Sequence, residues 1–289
     1  MDAPRCHLAE ERPEKDKPLK NRDVSQAPPY SFAAGMGVAP LWGGQTMTDY
    51  RERIYAAYVR STPSLAGQSG VEDFIPRRPF LTQLIRRHFP PARDARILEL
   101  GCGGGALLYF AHALGYTNMT GVDRSPEQVA LTRARGIQGV TEGDLMPVLR
   151  GLAPQSYDAI VAFDVIEHFT KPEVLDFVDL VHRALKPGGR FIVHTCNAEG
   201  PMPGASQYGD FTHEVSFTRS SISQIFLASG WSGVTCHEDR PVPHGVKSTV
   251  RFVLWHMIRA VLRFYLAVET GDTGRNAIFS QNFLAVAVK

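Results

Sequence analysis

The sequence contains little cysteine, with only four residues among 289, at positions 6, 102, 196 and 236. These cysteines are scattered and form neither a CxxC pair nor another spacing that zinc sites or disulfide frameworks use. This excludes a small disulfide-stabilised domain and a cysteine-based metal site. We therefore predict free and mostly buried thiols, as in a protein of a reducing compartment.

Long apolar runs are also absent. The longest candidate, 252–268, is interrupted by His256, Arg259 and Arg263, so it is a poor membrane-spanning segment. Residues 1–23 are charged and contain prolines but no apolar core, and we predict no signal peptide there. These two absences predict a cytoplasmic protein, with contact to a membrane surface as the alternative.

The sequence has almost no net charge, with a formal value of +2 at pH 7. Nucleic-acid-binding domains usually carry a concentrated basic face, so we predict no nucleic-acid partner. The apolar content of 44% and the charged content of 21% are typical of a globular protein.

The first 45 residues differ in composition from the rest of the chain. They begin with mixed charges and continue into a stretch rich in Pro, Gly and Ala. Such segments bury too little apolar surface to fold, so we predict disorder for 1–45 and one domain over 46–289. Within that domain, apolar residues at helical spacing predict two N-terminal helices, 49–59 and 79–88, in the region 47–92.

Strand and helix patterns alternate over the remainder of the chain. Predicted strands lie at 97–100, 119–122, 137–141, 157–163, 190–194, 234–237 and 283–288. Predicted helices lie at 106–114, 126–135, 173–186 and 220–229. Ser125, Pro126 and Gln128 predict a capping box at the start of the second of these helices. The alternation indicates an α/β fold, namely a doubly wound, mostly parallel, seven-stranded Rossmann-like sheet with a helical insertion before the last strand.

A glycine-rich turn follows the first predicted strand. The segment Glu99-Leu-Gly-Cys-Gly-Gly-Gly105 has glycine at four of its last five positions and leads directly into a helix. Glycine lets a ligand approach the backbone N–H groups and the helix N-terminus, as nucleotide sites require. Asp123 ends the second strand, where a carboxylate can accept hydrogen bonds from ribose hydroxyls. This arrangement suits either a dinucleotide or S-adenosylmethionine.

Four segments together resemble the class I S-adenosylmethionine-dependent methyltransferases, within the broad type-11 group. The resemblance extends over about 97–288. The four segments are the glycine turn, Gly121-Val-Asp-Arg-Ser-Pro126, Tyr157-Asp-Ala-Ile-Val-Ala-Phe-Asp-Val-Ile-Glu-His168 and Leu185-Lys-Pro-Gly-Gly-Arg-Phe-Ile-Val193.

The resemblance implies S-adenosylmethionine as the cofactor and a role for each matching residue. Glu99, Gly101, Cys102, Gly103 and Gly105 would form the turn that holds the methionine end of the cofactor. The remaining cofactor residues are Asp123 at the ribose, Arg124 beside the adenine, Asp144 at the adenine amino group, Leu145 against the ring, and Phe163 and Asp164 near the transferring methyl.

The acceptor side is less specific in sequence. His213, in a polar segment that resembles the Asp-x-x-His…Phe-Thr stretch of type-11 methyltransferases, is the first candidate for a base, and His168 is the second. The alternative for His213 is a structural histidine bonded to Asp210. We predict no metal site, although Asp164, Asp210 and His213 would be the ligands of a divalent ion if one bound.

The insertion 240–280 contains a predicted helix over 248–268. Its spacing assigns Arg251, His256, Arg259 and Arg263 to one face, and Phe252, Trp255, Phe264 and Tyr265 to the other. Two interpretations fit this helix: a lid or homodimer contact that covers the acceptor pocket, or a basic helix that rests on anionic lipid.

The function predicted from these features is methylation of an oxygen on a sugar, a glycolipid or a small natural product. An N-methyltransferase for a small amine is the near alternative. An NAD-type oxidoreductase and a non-catalytic cofactor-binding protein are the alternatives from other classes.

Overall fold

The computed structural model describes residues 49–62, 65 and 67–289. The predicted disordered segment 1–45 lies outside these residues. The helices are α1 Tyr50–Tyr55, α2 Tyr58–Ser61, α3 Arg78–His88, α4 Ala106–Ala113, α5 Pro126–Ala134, α6 Leu145–Gly151, α7 Lys171–Ala184, α8 Gly204–Gln207, α9 Arg219–Ala228 and α10 Val246–Thr270. The strands are β1 Ile97–Leu100, β2 Met119–Asp123, β3 Val140–Glu142, β4 Tyr157–Phe163, β5 Leu185–Cys196, β6 Gly233–Glu238 and β7 Asn282–Val288.

The seven strands form one sheet in the order β3-β2-β1-β4-β5-β7-β6. β7 runs antiparallel to both of its neighbours, and the other pairs are parallel. The central strands are apolar on both faces, and helices cover both faces with two clusters of buried side chains. The predicted α/β, mostly parallel Rossmann-like sheet is confirmed.

The strand order determines where a ligand can bind. β2 and β4 both pair with β1, on its two sides, so the direction of chain progression reverses at β1. Ligands of such sheets bind at the carboxyl ends of the strands next to this reversal. The glycine turn follows β1 directly, which places it at that position.

Several predicted boundaries differ from the observed ones. The helix predicted over 49–59 is interrupted between α1 and α2, and the one predicted over 173–186 ends at Ala184. Leu185 instead begins β5 because it pairs with Tyr157 and the Ala184 carbonyl accepts from the Ser156 N–H at 2.8 Å. Ile137 is not in a strand, because its N–H bonds to the Thr132 carbonyl at the end of α5. β3 therefore begins only at Val140.

Helix α10 presents an apolar surface to solvent. Ten large apolar side chains on it are 51–83% exposed, and we call this surface the outer face of α10. The residues of the outer face are Val246, Val250, Val253, Leu254, Met257, Ile258, Val261, Phe264, Tyr265 and Val268. Among the described helices, none has both the length and the apolar character needed to cross a bilayer.

Candidate active site

A cavity of about 310 Å³ opens at the carboxyl ends of β1, β2 and β4. This volume lies at the lower end of the ~300–1,000 Å³ usual for small-molecule sites. The sheet supplies its floor, and α1, α2 and the 3₁₀ turn Val71–Arg77 contribute further lining residues. All the cofactor-binding residues predicted from the sequence line it, except Gly105.

The glycine turn bends sharply after β1 because three of its glycines have left-handed backbone conformations. Gly101, Gly103 and Gly105 have φ values of 67°, 50° and 83°. At Gly101 a Cβ would also lie only 2.4 Å from Cγ2 of Val165. Gly105 faces away from the cavity, where a Cβ would meet Thr132 and Ile137 at 2.7 and 2.8 Å. Gly105 therefore shapes the turn rather than the cavity wall.

Asp123 holds the turn in place. One carboxylate oxygen accepts from the Gly103 N–H at 2.7 Å, and the other accepts from the Ser125 N–H at 2.8 Å. Burial raises the pKa of the Asp123 carboxyl, although these hydrogen bonds oppose the shift. Because each carboxylate oxygen has more than one lone pair, Asp123 can still accept from a ligand in the cavity.

Glu99 lines the cavity with an unused acceptor. Its side chain is buried, and Oε2 has no hydrogen-bond partner among the described residues. Burial raises the pKa of Glu99 well above its usual value, while Arg77 opposes that shift. An unpaired buried carboxyl is costly, so this oxygen indicates a place for a donor group of a ligand.

The predicted adenine side is held by local contacts. Asp144 caps the N-terminus of α6 through the Met146 N–H at 3.0 Å. Arg124 lies 3.9 Å from the Asp144 carboxylate, and its guanidinium lies 5.3 Å from the centre of the Tyr55 ring. Leu145 follows Asp144 on the same wall of the cavity.

Phe163 ends β4, and Asp164 follows it, beside a buried histidine. His194 stacks on Phe163 with ring centres 4.0 Å apart and donates to Asp164 through Nδ1. Its Nε2 donates to Asp239 at 2.7 Å. Burial alone would lower the pKa of His194, but the two carboxylates raise it to about 10. Burial would likewise raise the pKa of Asp164, but the imidazolium holds it below its usual value.

His168 is the predicted base that the structure places on the cavity wall. The Thr212 hydroxyl donates to Asp210 at 2.7 Å and therefore accepts from His168 Nδ1–H at 2.8 Å. This chain leaves the proton on Nδ1, and Nε2 has no partner among the described residues. Burial and the neighbouring His213 lower the pKa of His168 to about 4, so the ring is neutral at pH 7.

His213 lies behind His168 and does not line the cavity. The two rings meet edge to face at 4.7 Å, and His213 Nδ1–H donates to the Gln207 carbonyl at 3.1 Å. His213 is bonded to Asp210 only through the backbone, where its N–H donates to the Asp210 carbonyl at 3.3 Å, because the Asp210 carboxylate accepts from Tyr58 and Thr212.

The alternative metal site is not assembled as predicted. Atoms of His168, Asp210 and His213 that are able to ligate a metal lie within 4.8 Å of one another. Asp164 is not part of this group, because its carboxylate binds His194.

Sequence reasoning missed several residues of the site. Arg135, whose side chain is fully buried, donates to the Gly104 carbonyl at 3.0 Å and to Asp73 at 3.3 Å, so it ties the glycine turn to the N-terminal region. Tyr55 and Tyr58 line the cavity, although the sequence analysis used their aromatic stripe only to predict a helix over 49–59. The hydroxyl groups of these tyrosines were the sequence feature that could have indicated a ligand contact. For Arg135, the sequence offers no such feature beyond its place at the end of α5.

The capping box predicted at Ser125 is formed only in part. The Ser125 hydroxyl accepts from the Gln128 N–H, which confirms the cap. The Gln128 side chain lines the cavity instead, and its Oε1 has no partner among the described residues.

A family profile described as a methyltransferase domain matches residues 75–236, which is more than half of the chain. A ubiquinone biosynthesis O-methyltransferase of Xylella fastidiosa is 35% identical over 111 residues, covering 37% of this chain and 44% of that protein. The chain thus matches less than half the length of this relative.

Solved structures share the fold at low sequence identity. A SAM-dependent methyltransferase from Archaeoglobus fulgidus aligns with a TM-score of 0.55 and 17% identity, over 83% of this chain and 100% of that one. The phosphoethanolamine N-methyltransferase 2 of Haemonchus contortus, solved with S-adenosyl-L-methionine, aligns with a TM-score of 0.54 and 16% identity, over 81% of this chain and 60% of that one.

Proposed function

Because the chain belongs to the methyltransferase domain family, we propose that it is an enzyme that methylates a hydroxyl oxygen of a small or lipid-linked acceptor. S-adenosylmethionine is the methyl donor. The observation that carries the choice of oxygen is His168, a neutral histidine on the cavity wall with an unpaired Nε2 among the described residues.

The cavity fits this cofactor at several points. Gly101, Gly103 and Gly104 line the cavity and have no side chain that would keep a ligand away from the backbone, although the N–H groups of Gly101 and Gly103 already donate within the protein. Glu99 offers an unused oxygen to a donor such as an amino group, and Asp123 retains lone pairs for ribose hydroxyls. Arg124, Asp144 and Leu145 form the wall expected at the adenine. When bound, S-adenosylmethionine supplies a methyl group attached to a positively charged sulfur.

A hydroxyl acceptor must lose its proton as the new carbon–oxygen bond forms. Nε2 of His168 takes that proton, and the Thr212–Asp210 chain holds the ring so that Nδ1 remains the protonated nitrogen. The buried His194 pairs with Asp164 and keeps this carboxylate ionised on the cavity wall, where it can orient the acceptor. The acceptor class agrees with the name of the Xylella relative, whose substrate lies in ubiquinone biosynthesis.

An assay with methyl-labelled cofactor tests this proposal on phenols of the ubiquinone-precursor type, sugars and amines. We expect labelled phenols or sugars, and we expect His168→Gln to lower kcat by about 10²–10⁴ while affinity for S-adenosylhomocysteine is unchanged. His213→Gln is the matched control and is expected to lower kcat less than about tenfold. Labelling of amines alone, or equal losses in both variants, would contradict the proposal.

The pH dependence of kcat gives a second readout. His168 must be neutral to accept a proton, and its pKa of about 4 keeps it neutral above that pH. We therefore expect no histidine-type fall in kcat between pH 8 and pH 5, and an acid limb only near pH 4. An acid limb near pH 6.5, the usual range for histidine, would show that another group is the base.

A further inference from the structure

Helix α10 is fixed to the body of the protein through its arginines. Arg259 Nε donates to Glu238 at 2.9 Å, and the same guanidinium donates to the Ala277 carbonyl at 3.2 Å. Arg263 Nε donates to the Thr273 carbonyl at 3.1 Å. Of the face predicted to meet anionic lipid, Arg259 and Arg263 are therefore turned toward the protein, because their donors satisfy acceptors there, whereas Arg251 and His256 are exposed.

Consequently, no element in the described part of the chain covers the outer face of α10. At 100° per residue its ten side chains occupy about 140° of the helix circumference. Between positions 252 and 268 this sector contains no charged residue. A surface helix of a globular protein normally directs such a sector to the core, so this arrangement indicates a partner.

Charges stand only at the ends of the outer face. Lys247 and Arg251 are exposed at its N-terminal end, and Glu269 is exposed at its C-terminal end. Phe264 and Tyr265, which are 71% and 59% exposed, lie near the latter. A wide apolar sector with exposed aromatic rings and a basic end is complementary to the surface of an anionic bilayer.

We propose that the outer face of α10 docks the enzyme on an anionic membrane surface, with the helix lying in the plane of the interface. A helix of 25 residues is about 37 Å long and would immerse its apolar side without crossing the bilayer. A second copy of the chain fits less well. Two paired helices bury a narrow seam of about two positions in seven, whereas this sector is far wider.

Vesicle co-sedimentation with the full chain tests the docking. We expect the protein to sediment with vesicles of phosphatidylcholine and phosphatidylglycerol, and more weakly with phosphatidylcholine alone. The double variant Met257→Glu/Val261→Glu places charges in the centre of the outer face and is expected to lower binding at least about tenfold. Leu175→Glu/Leu227→Glu, at exposed positions of α7 and α9, is the matched control and should bind like the unchanged protein.

Two further measurements test the electrostatic contribution to vesicle binding and the folding of the variants. Lys247→Glu/Arg251→Glu should remove the preference for phosphatidylglycerol and retain the weaker binding to phosphatidylcholine. Unchanged affinity for S-adenosylhomocysteine would show that each variant is folded. Because vesicle binding is measured without a methyl acceptor, its outcome is independent of the proposed oxygen methylation. If Met257→Glu/Val261→Glu fails to fold, the single variant Val253→Glu replaces it.

The docking proposal is overturned if the unchanged protein does not sediment with either kind of vesicle. It is also overturned if the control double variant loses binding as much as the outer-face variant. A dimer in sedimentation equilibrium that Met257→Glu/Val261→Glu dissociates, without vesicle binding, would identify a second copy as the partner.

Discussion

Gly101 is subject to two separate constraints. Its φ of 67° lies in the left-handed region, which costs any residue with a Cβ about 1–2 kcal/mol. Its Cβ would also meet Cγ2 of Val165 at 2.4 Å. Either constraint alone selects for glycine, and the second exists only because β4 runs beside β1.

Gly101→Ala is expected to destabilise the protein by more than the backbone cost and to weaken S-adenosylhomocysteine binding. Gly136→Ala is the matched control, because Gly136 has a φ of 76° and a Cβ added there would meet no atom within 4 Å. It should lose only about 1–2 kcal/mol of unfolding free energy, with cofactor affinity unchanged. Urea unfolding and calorimetry measure both effects, and equal losses in the two variants would refute the role of Val165.

His194 joins two carboxylates that belong to different strand ends. Its imidazolium donates to Asp164 after β4 and to Asp239 after β6. His194→Gln removes the cation between these two carboxylates, and we expect a loss of roughly 1–3 kcal/mol, below that of a fully buried pair because the Asp164 and Asp239 side chains are partly exposed. His112→Gln, at an exposed histidine, is the control and should be close to neutral.

The same histidine predicts how stability changes with pH. Its pKa is about 10 in the folded protein and 6.5 as the reference value, so the folded state binds the proton more tightly. The contribution of His194 to the free energy of unfolding is complete below pH 6.5 and is lost as the pH rises toward 10. Urea unfolding at several pH values should show this fall in the unchanged protein and not in His194→Gln. An identical slope in both would contradict the assignment.

At the scale of elements, α10 differs most from its predicted role. The lid interpretation places it over the acceptor pocket, but none of its residues lines the cavity, whereas residues of α1 and α2 do. The contacts of Arg259 and Arg263 attach α10 beside the end of β6 and the segment before β7. α10 is therefore fixed at the edge of the sheet, away from the cofactor cavity, and the lid over an acceptor stays a prediction.

Arg259→Ala is expected to loosen α10 without unfolding the sheet. The variant removes a hydrogen-bonded partner of Glu238, whose side chain is 2% exposed, although Arg240 remains 3.3 Å from that carboxylate. Hydrogen exchange of the α10 amides should accelerate at least about tenfold, with the amides of β4 unchanged. Arg251→Ala, at an exposed position of the same helix, is the control, and equal acceleration there would refute the role of Arg259.

At the scale of the whole molecule, the cofactor cavity collects residues from separate segments between Arg51 and Phe169, and none of the residues after Phe169 lines it. Arg51, Glu99, Asp123, Asp144 and His168 all line it. A ligand that bridges these segments stabilises the folded state by mass action, because the unfolded chain cannot assemble them. The cytoplasmic location predicted from the sequence stays a prediction.

S-adenosylhomocysteine at about 100 times its Kd is expected to add about 2.7 kcal/mol to the unfolding free energy. For a domain of this size that corresponds to a rise in Tm of roughly 5–10 °C. NAD at the same concentration should leave Tm unchanged. Differential scanning calorimetry measures both, and stabilisation by NAD alone would contradict the assigned cofactor.

Local sequence patterns determined the order of strands and helices, the glycine turn and the position of Asp123. They did so because a buried strand, a turn and a helix cap depend on residues only a few positions apart. The ends of α7 and β3 were misplaced because their causes are not local patterns. α7 ends before Leu185 because Leu185 pairs with Tyr157, which is distant in the sequence. Ile137 lies outside β3 because its N–H bonds to the Thr132 carbonyl, a turn geometry that residue spacing does not display.

Tertiary structure alone decided which histidine reaches the cavity, which carboxylates hold His194 and which face of α10 meets solvent. The sequence ranks His213 before His168 as a base, yet of the two only His168 lines the cavity. Asp164 and Asp239 are 75 positions apart, as their numbers show, and meet because β4 and β6 end at the same edge of the sheet. Partners brought together by strand order leave no periodic signal along the chain, and this is the physical reason that the sequence could not reveal them.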